Sequence, residues 1–464
     1  MQVFDLNKKC KVHFIGIGGI SMSAIALILK KNDFEVSGSD LSENENVKML
    51  KSKGIDICFG HKKENIRDDI DIVVYSMAIH DDNEEIIEAK KKNITLMSRS
   101  EILGKIMANY SKKVCVAGTH GKTTTTALIS KVMLDAGKDP TINVGGIVDE
   151  IGGNSYIGND ENLFIAEACE YTNSFLDFCP DIAVVTNIEE DHLDFFKDLA
   201  DIRKSFKKFI NLLPKDGLLI INDKIEDIDY LTDEIEAKVV IYGDSENANY
   251  YYKNATYDDM HYQSFDVYKD KKFIGRMRQK LIGRHNALNF LAAYAALDNM
   301  GIDFETIKKS LEDFKGARRR LEVKGIKNGV TYIDDYAHHP TEIEASLNAL
   351  KEIEYKNLYL IFQPHTFSRT KALYKEFVRV LGNVENVILA KIYPAREKDE
   401  GIISSKDIKD GIIKNKNNKN NICEYFEKFN DILEYVEKLA SPGDLIVTMG
   451  AGDIYKLLDI CSFK

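Results

Sequence analysis

The segment VCVAGTHGKTTTT, residues Val114–Thr126, combines glycines, a lysine and threonines in a pattern that can bind phosphate. We expect a buried strand that ends in a glycine-rich loop, with Lys122 and Thr123 opening the next helix. Backbone N–H groups and the helix N-terminus would then cradle phosphate oxygens. Lys122 would neutralise the β- and γ-phosphates, and the Thr123 hydroxyl would bind Mg²⁺. Val116 replaces the first glycine of the common GxxxxGK[ST] pattern, so this triphosphate loop is a variant of it.

Two later segments could supply metal ligands beside this loop. AEACEY (Ala166–Tyr171) places Glu167 at the end of a strand, and NIEEDHLD (Asn187–Asp194) places His192 just beyond the next strand. Strand ends on one edge of a parallel sheet converge. A carboxylate suits Mg²⁺, whereas histidine is a less usual ligand for it, so spacing alone leaves the role of His192 open. We interpret three further acids as surface groups: Glu170, Glu189 and Glu190.

A second glycine-rich loop, GIGGIS (Gly16–Ser21), follows an apolar run near the start of the chain. It matches the dinucleotide fingerprint GxGxxG except that Ser21 replaces the last glycine. Asp40 lies where an acid that binds a ribose is expected. Taken alone, this loop favours a nicotinamide-dependent enzyme, and a Rossmann turn without a ligand is the plainer alternative.

Short apolar runs alternate with segments of helical period along the chain. This alternation predicts an α/β fold built on parallel sheets with helices on both faces. Strands are expected at 11–18, 35–40, 71–77, 112–118, 163–167 and 181–187, and again in the runs TYIDD, LYLIF, NVILAKIY and DLIVTMG. We predict three domains, at residues 1–109, 110–315 and 316–464.

Composition narrows the class of protein. The net charge of -11 argues against a large nucleic-acid-binding surface. No apolar run approaches the ~18 residues of a membrane span, and the polar start lacks the apolar core of a signal peptide. The seven cysteines are scattered without CxxC pairs, which favours a reducing compartment. We therefore expect a cytoplasmic protein without membrane insertion, either a monomer or a homodimer.

Several motifs together resemble one family, the Mur ligases. GTHGKTTT, the EAxE segment and NIEEDHLD carry the general resemblance. Further segments resemble the branch that adds L-alanine to UDP-N-acetylmuramate: GIGGISMSAIA (Gly16–Ala26), GRHNALNFLAA (Gly283–Ala293), DDYAHHPTEI (Asp334–Ile343), FQPHTFSRT (Phe362–Thr370) and YPAREKDEGIISS (Tyr393–Ser405). The matching segments run from about residue 11 to residue 459 and so cover nearly the whole chain.

The resemblance implies a Rossmann-like N-terminal domain that binds UDP, a central P-loop ATPase domain and a Rossmann-like C-terminal domain. It also implies that ATP phosphorylates the substrate carboxylate and that an amine then displaces phosphate from the acyl phosphate. The substrates would be UDP-N-acetylmuramate, L-alanine and ATP, with Mg²⁺ as cofactor. Such a site must hold two anions together, so it needs concentrated positive charge.

The resemblance also assigns roles to individual residues. The ATP site would comprise Gly118, Thr119, His120, Gly121, Lys122, Thr123, Thr124, Asn286 and Asp335. Metal would be bound at two positions, the first by Thr123 and the second by Glu167 and His192. The UDP end would lie on Gly16, Gly18, Gly19, Ser21, Ser39, Asp40 and Ser76, flanked by Ala78 and Ile79. The catalytic set would be Lys122, His338, His365 and Arg369, with Tyr336 and Arg396 near the amino acid.

Three positions depart from the family pattern. Thr366 stands where many relatives have arginine, and Cys169 replaces a common aspartate. Lys207 is nearest in spacing to a lysine that is carbamylated in several Mur ligases, but the surrounding phenylalanines align it differently. We interpret Lys207 as a surface helix residue. We also expect the third domain to close onto the second during the reaction.

Two alternatives to alanine addition stay open. A related ligase attaches a whole murein tripeptide to the same UDP-sugar. A protein that uses its P-loop only as a nucleotide-dependent switch belongs to a different class. Glu167, His192 and His338 argue against a switch, because a switch needs no amino-acid pocket.

Overall fold

The computed structural model describes residues 9–76, 78–159, 162–192, 195–258, 262–351, 353–395, 397–415, 419–459 and 461. The chain divides into two compact units. The first comprises the residues up to Ala255, together with Ser264–Arg278 and Asn286–Phe314. The second comprises Thr256–Gln263, Gln279–His285 and the chain from Lys315 onward.

The first sheet is parallel and has the strand order β3-β2-β1-β4-β5 across the described residues. Its strands are β1 (Lys11–Ile15), β2 (Glu35–Asp40), β3 (Asp56–Phe59), β4 (Ile72–Tyr75) and β5 (Thr95–Ser98). The helices between them are α1 (Ile20–Lys31), α2 (Glu45–Ser52), α3 (Glu84–Lys91) and α4 (Arg99–Met107). The order reverses between β1 and β4, which is where ligands bind in open parallel sheets.

Helix starts in this region are set by side chains that accept backbone N–H groups. The Asn44 side chain caps α2 and the Asn83 side chain caps α3. Ser98 and Glu101 form a capping box at the start of α4. Each cap satisfies N–H groups that the first helical turn would otherwise leave without a partner.

The second sheet follows the order β15-β14-β13-β12-β11-β10-β6-β9-β7-β8 in the part of the chain that the structure describes. Its strands are β6 (Lys112–Ala117), β7 (Thr141–Val148), β8 (Gly153–Tyr156), β9 (Leu163–Glu167), β10 (Ile182–Val185), β11 (Leu218–Asn222), β12 (Lys238–Gly243), β13 (Tyr250–Tyr257), β14 (Gln263–Lys269) and β15 (Lys272–Gln279). The helices are α5 (Lys122–Asp135), α6 (Leu199–Ile210), α7 (Ile228–Thr232), α8 (Arg284–Asn299) and α9 (Phe304–Leu311). Strands β6, β9 and β10 are parallel neighbours, so their carboxyl ends meet at one edge.

The third sheet belongs to the second unit and has the order β16-β17-β21-β18-β19-β20 among its described residues. Its strands are β16 (Glu322–Lys327), β17 (Val330–Asp335), β18 (Leu358–Phe362), β19 (Asn386–Ala390), β20 (Ile422–Phe426) and β21 (Leu445–Met449). The helices are α10 (Pro340–Leu350), α11 (Phe367–Ala372), α12 (Tyr374–Leu381), α13 (Ser405–Lys414), α14 (Phe429–Leu439) and α15 (Lys456–Asp459). Only β16 pairs antiparallel here, and the other described pairs are parallel.

The predicted fold class is confirmed: the chain is α/β, with Rossmann-like parallel sheets at both ends. The predicted strands are all present, although most end one to three residues earlier than expected. Three of these early ends lie directly before Gly16, Gly118 and Gly450, where the chain leaves the sheet. The domain limits at residues 109 and 315 remain predictions. Over the described residues, the structure contains no helix with the length and apolar character needed to span a bilayer.

Candidate active site

The phosphate loop lies between β6 and α5, as the sequence predicts. Gly121 caps the helix with φ of 81°, a conformation that favours glycine. A Cβ atom at Gly121 would also lie 2.4 Å from the Asn289 side-chain oxygen. Thr186 and Asn187, just after β10, hold the loop by donating to the His120 carbonyl over 2.5 and 3.1 Å. The loop is therefore fixed by its own sheet edge and by helix α8.

The ammonium group of Lys122 is enclosed by acceptors. It donates to the carbonyl oxygens of Gly118 and Thr119, and it lies 2.9 Å from a carboxylate oxygen of Glu170. Burial alone would lower the pKa of Lys122, but the nearby negative charges, Glu170 first, leave that pKa raised. Lys122 is therefore positively charged at neutral pH.

The interpretation of Glu170 as a surface group is wrong. Its side chain is only 2% exposed because it pairs with Lys122 beneath the loop. Nothing in the local sequence shows this burial, since Lys122 lies 48 residues earlier. Glu189 and Glu190 are exposed, as expected.

Glu167 extends from the end of β9 toward the first turn of α5. Its Oε2 accepts hydrogen bonds from the Thr123 hydroxyl at 2.9 Å and from the Gly145 amide at 2.8 Å. A Cβ atom at Gly145 would approach that carboxylate to 2.5 Å, so the glycine permits this close approach. Thr123 and Glu167, which were predicted as metal ligands, therefore lie side by side.

His192 belongs to a second group of ligand atoms. Ligand atoms of Glu170, Asp191 and His192 all lie within 4.8 Å of one another. The imidazole packs against the Tyr171 ring, with centroids 4.4 Å apart. Sequence reasoning found His192 but neither its sequence neighbour Asp191 nor Glu170, which lies in a different segment of the chain.

Asn286, the predicted adenine contact, lies in α8 close to the phosphate loop. It is 5% exposed, and its side-chain oxygen accepts a hydrogen bond from Asn289 at 2.9 Å. The Asn289 side chain also packs against Gly121, so Asn286 and the phosphate loop contact the same asparagine. Thr119 lies in the loop, where its hydroxyl accepts the Glu189 amide at 2.9 Å. Thr124 lies in the first turn of α5.

The first glycine loop sits at the switch point of the first sheet. The amides of Gly16 and Ile17 donate to the Ser39 carbonyl at 2.8 and 2.9 Å. The Gly18 amide donates to Asp40 at 2.8 Å, and a Cβ atom at Gly18 would approach the same carboxylate to 2.8 Å. Asp40 therefore holds the loop itself, and its contact with a ligand stays a prediction.

The other residues predicted at the UDP end surround this loop. Gly19 precedes α1, and Ser21 lies in its first turn. Ser76 follows the neighbouring strand β4, where its carbonyl accepts the Ile79 amide at 2.9 Å. Sequence reasoning missed Arg99, whose guanidinium donates to the Ser21 hydroxyl at 3.0 Å and brings a cation to this edge.

In the second unit, Tyr336, His338, His365 and Arg369 form one cluster. The ring centroid of His338 lies 5.4 Å from that of Tyr336 and 5.9 Å from that of His365. An Arg369 nitrogen lies 3.4 Å from His365 Nδ1. Burial, reinforced by His338 and Arg369, lowers the pKa of His365 to about 4. Burial also lowers the pKa of His338, so Arg369 carries the positive charge at neutral pH.

Two carboxylates hold this cluster in place, and neither stood out in the sequence. Glu342 accepts the His338 amide at 2.9 Å and lies 3.1 Å from His338 Nδ1. Glu397 accepts the Phe367 and Ser368 amides at 2.6 and 3.0 Å, which anchors the first turn of α11. Arg396, predicted near the amino acid, lies outside the described residues.

Asp335 is buried at the end of β17. Its oxygens accept the Ala337 amide at 2.7 Å, the Leu321 amide at 2.8 Å and the Ser346 hydroxyl at 3.2 Å. These bonds shape the turn before His338. A contact between Asp335 and the ATP ribose stays a prediction.

The three residues that depart from the family pattern have defined surroundings in the structure. Thr366 caps α11, where its hydroxyl accepts the Arg369 amide at 3.4 Å. Lys207 lies on α6, where its ammonium pairs with Asp233 and Glu234 at 2.7 and 2.9 Å. Burial, the largest effect, raises the pKa of the Cys169 thiol, which favours the neutral form.

Family models match three consecutive stretches of the chain. They are described as "Mur ligase family, catalytic domain" at residues 11–111, "Mur ligase middle domain" at 116–297 and "Mur ligase, glutamate ligase domain" at 319–452. A UDP-N-acetylmuramate–L-alanine ligase of Clostridium botulinum (strain Langeland) is 47% identical, over 98% of each chain.

The chain belongs to the Mur ligase family. The same name is given to a relative from Lachnoclostridium phytofermentans, which is 44% identical over 98% of each chain. The resemblance predicted from the motifs is thereby confirmed.

Solved structures agree with this Mur ligase assignment. A UDP-N-acetylmuramate-alanine ligase from Thermotoga maritima superposes with a TM-score of 0.77 at 30% identity, covering 96% of this chain and 97% of the other. A murein peptide ligase from Psychrobacter arcticus gives a TM-score of 0.68 at 22% identity, which shows a shared fold alone. As a member of this family, the chain uses ATP.

Proposed function

We propose that this Mur ligase joins L-alanine to the carboxylate of UDP-N-acetylmuramate, with ATP converted to ADP and phosphate. The observation that carries the proposal is the buried Lys122–Glu170 pair beneath a glycine loop, in a chain 47% identical to a relative with that name. The product would be a peptidoglycan precursor.

A carboxylate at neutral pH is a poor electrophile, so its oxygen must first be made a leaving group. Transfer of the γ-phosphoryl group to the carboxylate does this, and the amine of alanine then attacks the carbonyl carbon. Lys122 supplies positive charge where the transferred phosphoryl group becomes more negative. Loop amides would hold the other phosphate oxygens.

The donor set at the loop fits a hard divalent cation such as Mg²⁺. The Thr123 hydroxyl and a Glu167 oxygen lie 2.9 Å apart, and both are oxygen donors of the kind that Mg²⁺ prefers. His192, Glu170 and Asp191 form a second group of possible metal ligands, in the segments that follow β9 and β10. Bound Mg²⁺ would neutralise phosphate charge. We propose Thr123 as a ligand at one Mg²⁺ position and Glu167 and His192 as ligands at a second.

Glu167→Gln and His192→Ala should each raise the Mg²⁺ concentration that gives half-maximal activity. Each change removes one proposed ligand, and Glu167→Gln also keeps the side-chain volume. The measurement is phosphate release against Mg²⁺ concentration, with exposed Glu190→Gln as the matched control. Curves that coincide with wild type for both variants would show that these residues do not bind the metal.

The second unit supplies the groups proposed to act on the carboxylate and on alanine. Arg369 is the cation of its cluster, and the neutral His338 and His365 rings can accept or donate hydrogen bonds beside it. We assign Tyr336 and His338 to the substrate and the incoming amine, and His365 and Arg369 to the carboxylate and γ-phosphate.

The UDP group is proposed to bind at the first glycine loop. Gly16, Gly18 and Gly19 carry no side chain, so the backbone could approach a diphosphate closely. Arg99 adds a positive charge beside Ser21. Two nucleotide folds in one chain fit a UDP-sugar and ATP better than a nicotinamide cofactor. We also place the enzyme in the cytoplasm, as a monomer or homodimer.

A panel of acceptors tests this function. Phosphate release is measured with ATP and UDP-N-acetylmuramate plus glycine, L-alanine, L-serine or the murein tripeptide. We expect L-alanine to give the highest kcat/KM, and mass spectrometry should show UDP-N-acetylmuramoyl-alanine. Preference for the tripeptide would support the recycling ligase instead. Phosphate release that is independent of every acceptor would contradict a ligase.

A further inference from the structure

A buried carboxylate lies behind the first glycine loop and takes no part in the mechanism above. Glu85, in the first turn of α3, is 0% exposed. Its Oε2 accepts the Ser39 hydroxyl at 2.6 Å, and its Oε1 accepts the Asn65 amide at 2.5 Å. An acid buried this fully is costly unless several donors surround it.

Two histidines complete the surroundings of Glu85. His61 Nδ1 lies 3.3 Å from Glu85 Oε2 and 3.0 Å from the Ser39 hydroxyl oxygen. His13 Nε2 lies 3.8 Å from Glu85 Oε1, while its Nδ1 bonds Ser37 at 3.0 Å. Burial would raise the pKa of Glu85, but the His13, His61, Ser39 and Asn65 side chains hold it at about 2. The carboxylate is therefore ionised at neutral pH.

Ser39 connects this carboxylate with the loop. Its hydroxyl is held by Glu85, and its carbonyl accepts the amides of both Gly16 and Ile17. The residue is completely buried, so these bonds fix its position. On the same side, Asn65 donates to the Gly60 carbonyl at 2.9 Å, and the Gly60 amide donates to the Asp40 carbonyl at 2.9 Å.

We propose that Glu85 is a positioning residue for UDP-N-acetylmuramate, acting through Ser39 to hold the first glycine loop in its binding conformation. The inference rests on the proposed function, since it assumes that this loop takes the UDP group. Glu85 itself touches no substrate. Its effect is indirect, because Ser39 and the strand ends at Gly60 and Asp40 stand between it and the loop.

Glu85→Gln is the direct test, because it keeps the volume and removes the charge. The new NH₂ group would either face the Asn65 amide, which can only donate, and lose that bond, or face Ser39 and force its hydroxyl to accept instead of donate. Losing a bond to a buried charge should weaken UDP-N-acetylmuramate binding by about tenfold or more. Glu84→Gln is the matched control, since Glu84 is the exposed neighbour on the same helix.

The readouts are the dissociation constant for UDP-N-acetylmuramate by calorimetry without ATP, the KM for each substrate, and kcat. We expect the dissociation constant and the KM for UDP-N-acetylmuramate to rise. The KM for ATP and kcat should stay within about twofold of wild type. A merely structural role would lower the melting temperature without this selectivity. If Glu85→Gln does not fold, Asn65→Ala removes another donor to the same carboxylate and should give the same selective loss.

Failure of this inference can be told apart from failure of the proposed function. Wild-type protein that does not bind UDP-N-acetylmuramate would overturn the proposed function. Wild-type protein that binds it, together with equal affinity in Glu85→Gln, would overturn the positioning role. Equal loss of ATP and UDP-sugar binding in both variants would also overturn it, because the effect would then be global.

Discussion

Lys122→Ala should lower kcat by at least about a hundredfold while leaving the affinity for UDP-N-acetylmuramate close to wild type. Lys122 is the buried cation of the phosphate loop, and the first glycine loop lies on another sheet. The change removes charge that stabilises phosphoryl transfer. Calorimetry without ATP measures the UDP-sugar affinity, and phosphate release measures kcat.

The Lys122–Glu170 pair complicates this experiment in a way that can be controlled. Truncating Lys122 leaves Glu170 buried without its partner, and breaking a buried pair typically costs about 3–5 kcal/mol of stability. The double variant Lys122→Ala/Glu170→Gln removes the orphaned charge and should recover most of the melting temperature. It should not recover activity. Lys131→Ala, on the same helix but paired with Asp135, is the matched control.

Activity within tenfold of wild type in Lys122→Ala would contradict the assigned role. Recovery of activity in the double variant would show instead that Lys122 serves only to neutralise the buried carboxylate of Glu170. Either result would mean that another residue provides the positive charge for phosphoryl transfer.

Arg369→Ala should lower kcat by about a hundredfold to a thousandfold, with a smaller effect on UDP-N-acetylmuramate affinity measured without ATP. His338 and His365 are neutral at neutral pH because burial lowers both pKa values, so Arg369 provides the positive charge of this cluster. Without the Arg369 guanidinium, less positive charge would offset the repulsion between the substrate carboxylate and the γ-phosphate.

Two further variants sharpen the test of Arg369. Arg369→Lys keeps the charge but loses the planar fork, so its kcat should fall between those of wild type and Arg369→Ala. Lys371→Ala changes an exposed cation on the same helix and should leave kcat unchanged. A kcat within threefold of wild type in Arg369→Ala would mean that the guanidinium serves only the local structure around His365.

Sequence patterns predicted the parts of the site that local spacing determines. The loop before Lys122, the strand that ends at Glu167 and the position of His192 follow from glycine placement and from apolar runs. The fold class also followed, because each buried parallel strand is a short apolar run. Motif resemblance added Asn286 and the His365–Arg369 segment.

Several of the missed residues depend on contacts between distant parts of the chain. Glu170 pairs with Lys122 across 48 residues, and Glu85 bonds Ser39 across 46 residues. Glu397 caps the helix of Arg369 from 30 residues away. A single acid in a polar segment looks like solvated surface until the tertiary fold brings its partner near. The carboxylate of Asp40 accepts the Gly18 amide, which its position at a strand end did not predict, and its contact with a ligand stays a prediction.

The central claim, activation of a carboxylate by ATP, can be tested by following oxygen. UDP-N-acetylmuramate labelled with ¹⁸O in both carboxylate oxygens is incubated with ATP, Mg²⁺ and L-alanine, and the released phosphate is examined by mass spectrometry. An acyl phosphate route transfers one labelled oxygen to each phosphate, with one UDP-N-acetylmuramoyl-alanine formed per phosphate. Unlabelled phosphate would mean that water attacks ATP directly, and would contradict the proposed ligase mechanism.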